Sequence, residues 1–325
     1  MHEIIHFLKA AVDRSEGSGV YGCYLVRDGM IMARNMHLQA GFPMSSKVPF
    51  NIPADELDRA LGRMQNVDKL VIKDGEVRIT AGRLKATIQV NTSEAMGAPE
   101  LADDWLPMPE GFTTALQVAL PFIGDRDYTK SIQLHDNRVG AISGQRAVGI
   151  DLPGLVMPHG PIMMTPEVAQ FFVDHDVPHE YRVREDRVQF MARWNDGRWV
   201  IAQLLNYGAP DDKINDIFAK VGDDAPVIID DAWRAAYEDA KALSHNGGIA
   251  LSNKALHVQG KHSKARVDHE TPGLSPEHFT YWDCKLLDAI VAVSHSWNPN
   301  AYPSPVPFFG KGLKGVVMGM SRWKS

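Results

Sequence analysis

Histidines offer the first candidate chemistry. His175 and His179 stand four apart in His175-Asp-Val-Pro-His179, and His257, His262 and His269 form a second group. Imidazoles are ordinary zinc ligands, and a bound zinc could activate water for hydrolysis. Neither group reads as a closed ligand set. The first falls in a polar loop after a helix, the second in strands and a loop, so solvated histidines are the reading. Gly310-Lys-Gly312-Leu-Lys-Gly315 fits the G-x-G-x-x-G spacing. It precedes a strand rather than a helix, which rejects a dinucleotide site. The chain has no P-loop, no G-x-S-x-G and no H-E-x-x-H. Asp223, Asp224, Asp230 and Asp231 gather near a helix start, where the helix dipole accounts for them. No nucleophile is paired with a base. The expectation is a protein without catalytic residues, cofactor or metal; a metal-dependent hydrolase using the histidines is the weaker alternative.

Composition narrows the class further. The chain has 325 residues, with 34 Lys and Arg against 40 Asp and Glu, a formal charge of −6. Hydrophobic residues make up 44% and charged residues 23%, which excludes wholesale disorder and fibrous repeats. The length predicts two or three domains. An acidic total argues against a simple basic nucleic-acid binder but says nothing about where the charges sit. Cys23 and Cys284 are far apart and lie in apolar segments, which reads as buried free thiols in a reducing compartment. The start Met-His-Glu-Ile-Ile-His has no basic segment before an apolar run, and no apolar run reaches the roughly 20 residues that span a bilayer. A soluble cytoplasmic protein without membrane partners is expected.

The elements that must position any site repeat three times, with a period near 108 residues in the 325. In the first copy, Ile4, Ile5, Leu8, Ala11 and Val12 recur at helical spacing. Residues 19–26 and 30–34 flank Asp28-Gly29 as a hairpin. Residues 48–53 lead into a helix over 54–64, and a second hairpin turns at Asp74-Gly75 before a strand at 84–90. The second copy follows the same order: an apolar helical segment at 112–123, strand–turn–strand over 131–142, a strand at 161–165, a helix at 166–177 with Thr165 as cap, a hairpin over 180–192 and a strand at 198–205. The third offers a strand at 227–230, a helix at 231–243, strand–turn–strand over 248–258, a helix at 281–294 and a terminal strand at 315–320. Boundaries fall in 92–110 and 207–226. The predicted domains are 1–110, 111–218 and 219–325.

At three stretches the sequence resembles the DNA sliding clamps of the bacterial DNA polymerase III beta-subunit type. Val316-Val317-Met318-Gly319-Met320, followed by Ser321-Arg322, resembles the Val-Val-Met-Pro-Met terminus of that family, with Gly319 in place of proline. Ala141-Ile142-Ser143-Gly144-Gln145-Arg146-Ala147 is similar to its Ala-Thr-Asp-Gly-His-Arg-Leu segment at Gly144 and Arg146. Asn206-Tyr-Gly-Ala-Pro210-Asp211 resembles the stretch that begins the connector to the third domain. The chain is shorter than typical bacterial clamps, which suits a phage-encoded one.

The resemblance implies an α+β fold of three repeated clamp domains, each with two helices packed on antiparallel sheets. Two chains would join head to tail into a closed homodimeric ring around duplex DNA, tethering the polymerase as a processivity factor. Helices would line the hole and bind DNA without sequence specificity, since phosphate contacts carry no base information. The basic residues expected to face DNA are Lys9, Arg14, Arg59, Arg63, Arg126, Lys130, Arg234, Lys241 and Lys285. Arg59 and Arg63 are four apart, and Arg234 and Lys241 seven apart, each pair on one helix face. The helix at 166–177 has no Lys or Arg. The resemblance also implies a pocket that takes short peptide motifs of the DNA polymerase and clamp loader, walled by Ile142, Ala147, Pro210, Val316, Val317, Met318 and Met320. Met and aliphatic side chains suit an adaptable apolar groove. The alternative is an interaction scaffold with the clamp fold that does not encircle DNA.

Overall fold

The computed structural model describes residues 1–15, 17–46, 48–64, 67, 69–73, 75–91, 99, 101, 104–125, 129–205, 213–244, 247–259 and 264–320. The helices are α1 (His2–Leu8), α2 (Ala54–Leu61), α3 (Phe112–Ala119), α4 (Pro166–Val173), α5 (Lys213–Ala219), α6 (Asp231–Leu243) and α7 (Cys284–Val293). The first strands are β1 (Cys23–Arg27), β2 (Met30–Arg34), β3 (Leu38–Pro43), β4 (Phe50–Pro53), β5 (Lys69–Lys73), β6 (Glu76–Ala81), β7 (Leu84–Gln89) and β8 (Leu106–Pro107). Then come β9 (Ile132–His135), β10 (Arg138–Ile142), β11 (Arg146–Asp151), β12 (Ile162–Met164), β13 (Glu180–Val183), β14 (Gln189–Arg193) and β15 (Trp199–Gln203). The last are β16 (Val227–Ile228), β17 (Gly248–Ser252), β18 (Ala255–Gln259), β19 (Lys264–Asp268), β20 (Thr280–Asp283), β21 (Ser296–Trp297), β22 (Val306–Gly310) and β23 (Leu313–Val317).

The chain divides into two compact units, 1–110 with 170–206, and 111–169 with 207–325. In the first, an antiparallel sheet runs β4-β1-β2-β3-β15-β14-β13-β8, and β5-β6-β7 forms a small second sheet. Strands distant in sequence meet where β3 pairs with β15, Gln39 opposite Ile201. The core gathers around Phe7, whose ring meets Trp194 edge-on at 5.1 Å and Phe171 at 5.4 Å. Such T-shaped pairs add to the area that aromatic rings bury.

The second unit repeats this plan. Its large sheet runs β12-β9-β10-β11-β23-β22-β21-β16, and β19-β18-β17-β20 forms the smaller one. Trp233 stacks on Tyr237 and meets Trp297 edge-on at 5.7 Å, and Trp297 lies 5.1 Å from Trp282. An α+β architecture of antiparallel sheets and helices therefore holds, as expected.

Three expected boundaries are corrected. The helix expected at 281–294 begins only at Cys284, because Tyr281 and Trp282 pair with Ala250 and Ile249 as β20. Asp283 ends that strand and caps the helix, its carboxylate accepting from the Lys285 N–H at 2.7 Å. The helix expected at 166–177 stops at Val173, where the polar Asp174-His175-Asp176 ends the apolar stripe and Pro178 follows. The terminal strand ends at Val317, so Met318 and Met320 lie beyond it. One element was read as connector: α5 presents Ile214, Ile217 and Phe218 at helical spacing, a signal present in the sequence.

Candidate functional site

Strand pairing decides which of the expected pocket residues meet. Ile142 pairs with Ala147, and Ala147 pairs with Val316, so these three form one row on one face of the large sheet. Val317 is the next residue along β23 and therefore points to the opposite face, where it is buried. Pro210 lies outside the described residues. The row is not open. Ile142, Ala147 and Val316 are 7%, 2% and 4% exposed. Ile142 and Ala147 cluster with Ile214, and Ile217 and Phe218 pack alongside.

The reason for this close approach is the floor beneath α5. Gly140 and Gly149 pair across β10 and β11 on the same face as the row. A Cβ at Gly140 would lie 2.5 Å from Ile214 Cδ1, and one at Gly149 would lie 2.9 Å from Phe218 Cε2. Two side chains are absent where two apolar side chains descend. Polar contacts hold the helix in register. Arg138 donates to Asn215, and Lys314 donates to Asp223 at 2.5 Å and to the Phe218 carbonyl at 3.4 Å.

An open cleft of about 920 Å³ lies at the β10–β11 turn. Ser143, Gly144, Gln145 and Arg146 line it together with Ile123, Asp125, Asp283, Lys285 and Leu286. The two methionines sit close by. The Met318 N–H donates to the Gln145 carbonyl at 2.8 Å, and the Met320 N–H donates to the Tyr281 carbonyl at 2.8 Å. Burial pushes the Arg146 guanidinium below its ordinary pKa, and the Asp283 carboxylate opposes that shift.

The nine basic positions fall into three groups. Lys9, Arg59, Arg63, Lys130 and Lys285 are exposed. Arg14, Arg234 and Lys241 have their charge engaged within the fold. Arg14 donates to Asp55 and Asp58, which joins the start of the chain to α2. Arg234 donates to the carbonyls of Val291 and Ser294, satisfying the C-terminal end of α7. Lys241 pairs with Asp288 at 2.6 Å. The same-face reading of Arg234 and Lys241 is thus explained by packing, since both cross to α7. Arg126 lies outside the described residues.

Two of the candidate histidines, His175 and His257, pack within the fold instead of standing solvated as expected. His175 packs against Phe171 and Phe7, its Nδ1 lies 2.6 Å from the Phe171 carbonyl, and burial lowers its pKa. His257 Nε2 lies 3.1 Å from the Ser252 hydroxyl, and its ring tilts against Phe279. His262 lies outside the described residues, and among those residues no group of three His, Cys, Asp or Glu is placed to hold a metal.

Comparison with solved structures decides the fold. The chain superposes on the DNA polymerase III beta subunit of Thermotoga maritima with a TM-score of 0.78, covering 99% of this chain and 97% of that one. The fold is that of the bacterial sliding clamps. The Helicobacter pylori beta clamp bound to a DNA ligase peptide gives a TM-score of 0.77 over 98% of this chain and 97% of that one. The Pseudomonas aeruginosa DNA polymerase sliding clamp gives 0.76 over 98% of each. Identities are 12%, 11% and 14% respectively. No protein-family model and no curated relative matches the sequence.

Within the clamp fold, the departure at Gly319 has a local cause. A Cβ there would lie 2.5 Å from the Tyr302 ring and 3.0 Å from the Tyr281 carbonyl. The proline of the resemblance has no room beside Tyr302. Sequence reasoning missed Ile214, Ile217 and Phe218, which cover the expected pocket row, and Asp283, which borders the cleft; Lys285, expected to face DNA, borders it too. Among the described residues, no helix of this clamp fold is long and apolar enough to cross a membrane.

Proposed function

We propose that this protein is a DNA sliding clamp that encircles duplex DNA as a head-to-tail homodimeric ring and tethers a DNA polymerase. The observation that carries this reading is a clamp-fold superposition over 99% of the chain at a TM-score of 0.78. Domains 1–110, 111–218 and 219–325 then act as three copies of one unit, two chains supplying six. The free outer edges of β5 and β19 support the ring, because both end their sheets among the described residues and an open edge templates pairing with another chain. The mechanism is topological. An enclosed duplex cannot dissociate sideways, and a tethered polymerase rebinds at high effective concentration. Such a protein performs no reaction of its own. It would work in the cytoplasm of a bacterial cell or a phage-infected host.

In this reading Lys9, Arg59, Arg63, Arg126 and Lys130 supply the attraction for phosphates, Lys285 belongs to the peptide cleft instead, and Arg14, Arg234 and Lys241 act mainly within the helix layer. The polymerase, the clamp loader and other partners dock by short peptides at the surface formed by the β10–β11 turn, Met318 and Met320. The test is sedimentation at micromolar concentration combined with a polymerase processivity assay. A dimer that extends processive synthesis supports the reading; a strict monomer without effect removes it.

One set of observations favours a second reading, a clamp-fold scaffold that does not encircle DNA. Helix α4 has no Lys or Arg, and three of the nine expected DNA-facing cations are engaged internally. Retention on circular but not linear DNA separates the two.

A further inference from the structure

Arg146 differs from other arginines of the chain. Arg14, Arg182, Arg193 and Arg198 each hold a carboxylate at the ion-pair distance, and Arg234 is satisfied by carbonyls. The Arg146 guanidinium makes no hydrogen bond or ion pair among the described residues, although it is half-buried. A partly desolvated cation without a hydrogen-bonded counter-ion has lost hydration without full recompense.

The nearby charges do not remove that deficit. Asp283 acts on Arg146 only through space, because its carboxylate is held by the α7 N-terminus through the Lys285 N–H. Lys285 is exposed, lines the same cleft and makes no ion pair among the described residues. Asp125 also lines the cleft and is exposed, the one other carboxylate among its described lining residues.

Beside these charges is a run of uncovered apolar surface. Phe279 is 40% and Met318 37% exposed. Phe279 lies 5.4 Å from Tyr281, and Tyr281 holds Met320 by its carbonyl. Phe279, Tyr281 and Asp283 alternate along β20 and its approach, so they share one face that leads to the cleft.

We propose that Arg146 is a specificity-determining residue that selects partner peptides bearing an acidic side chain, seated between Arg146 and Lys285. The peptide's neighbouring apolar residues lie on Met318, Tyr281 and Phe279. A carboxylate takes the fork of the guanidinium in paired hydrogen bonds, geometry that a lone ammonium does not offer. This deepens the partner-peptide reading above and rests on it.

The experiment is selection from a random peptide library displayed on phage, against the full-length protein and its Arg146→Gln, Arg146→Glu and Met318→Asp variants. Thermal melts of each variant establish that it is folded. The unmodified protein is expected to enrich apolar peptides with an Asp or Glu. Arg146→Gln loses the acidic preference and keeps the apolar one, and Arg146→Glu turns it toward Lys or Arg. Replacing the selected acid by its amide weakens binding about tenfold, the scale of one hydrogen bond to a charged group. Apolar peptides without an acid, or an acidic preference unchanged in Arg146→Gln, overturn the proposal. Peptides insensitive to Met318→Asp, or no enrichment at all, remove the partner surface itself and the proposal with it.

Discussion

Lys241 Nζ lies 2.6 Å from Asp288 Oδ1, and the same carboxylate oxygen accepts the Tyr237 hydroxyl at 2.8 Å. One carboxylate thus ties two donors of α6 to α7, and it raises the pKa of Lys241 through that hydrogen bond. Asp288→Asn keeps the shape and removes the charge. In the proposed ring it frees Lys241 for phosphate, steepening the dependence of log K on log salt by about one. Titrations of linear duplex at several salt concentrations measure this. An unchanged slope places Lys241 away from DNA.

Acid sensitivity is expected from His175. Burial is the largest cause of its lowered pKa, and the His6 charge acts in the same direction. Its folded value lies below the ordinary one of about 6.5. The unfolded chain therefore binds the proton first, and the stability held in the neutral ring is lost as pH falls below about 6.5. His257 is lowered for the same main reason and contributes with the same sign. Melting His175→Gln and the unmodified protein across that range checks the sign, with the variant expected to lose less on acidification.

Gly319→Ala is expected to destabilise the protein by about 1–3 kcal/mol, the usual cost of an added methyl without room. The obstacle is the Tyr302 ring at 2.5 Å. In a Tyr302→Ala background the penalty should shrink, although the Tyr281 carbonyl at 3.0 Å keeps part of it. A double-mutant cycle by chemical denaturation gives the coupling.

The fit of α5 onto the sheet is testable by truncation. Ile214 is fully buried against Ile142 and Ala147. Ile214→Ala is expected to cost about 2–5 kcal/mol, the transfer and cavity terms together. Asp216→Ala, on an exposed position of the same helix, should stay within about 0.5 kcal/mol. Equal effects would mean that α5 is not held by this contact.

The α+β plan was legible because the hairpin at Asp28-Gly29, the Thr165-Pro166 helix start and the apolar face of α6 each carry a local signal. Thr165 does accept from the Val168 N–H, at 3.3 Å. The β20–α7 junction was misread because Trp282, Leu286, Leu287 and Ile290 match helical spacing, and only cross-strand pairing reveals that Trp282 belongs to a strand. At the candidate site, the resemblance led to Ile142, Ala147 and Val316, which do meet. It gave no sign that α5 covers them, since that contact depends on Gly140 and Gly149 lying side by side. Nor could periodicity show that Arg234 and Lys241 turn toward α7, because a helix face does not reveal its neighbour.

The most direct test of the central claim is retention on DNA of two topologies. The protein is loaded with a clamp loader onto nicked circular DNA, washed at high salt, and the circle is then cut once. The account predicts that the protein stays on the intact circle and leaves when the DNA is linearised. Loss from both at high salt, or equal retention after cutting, would contradict it.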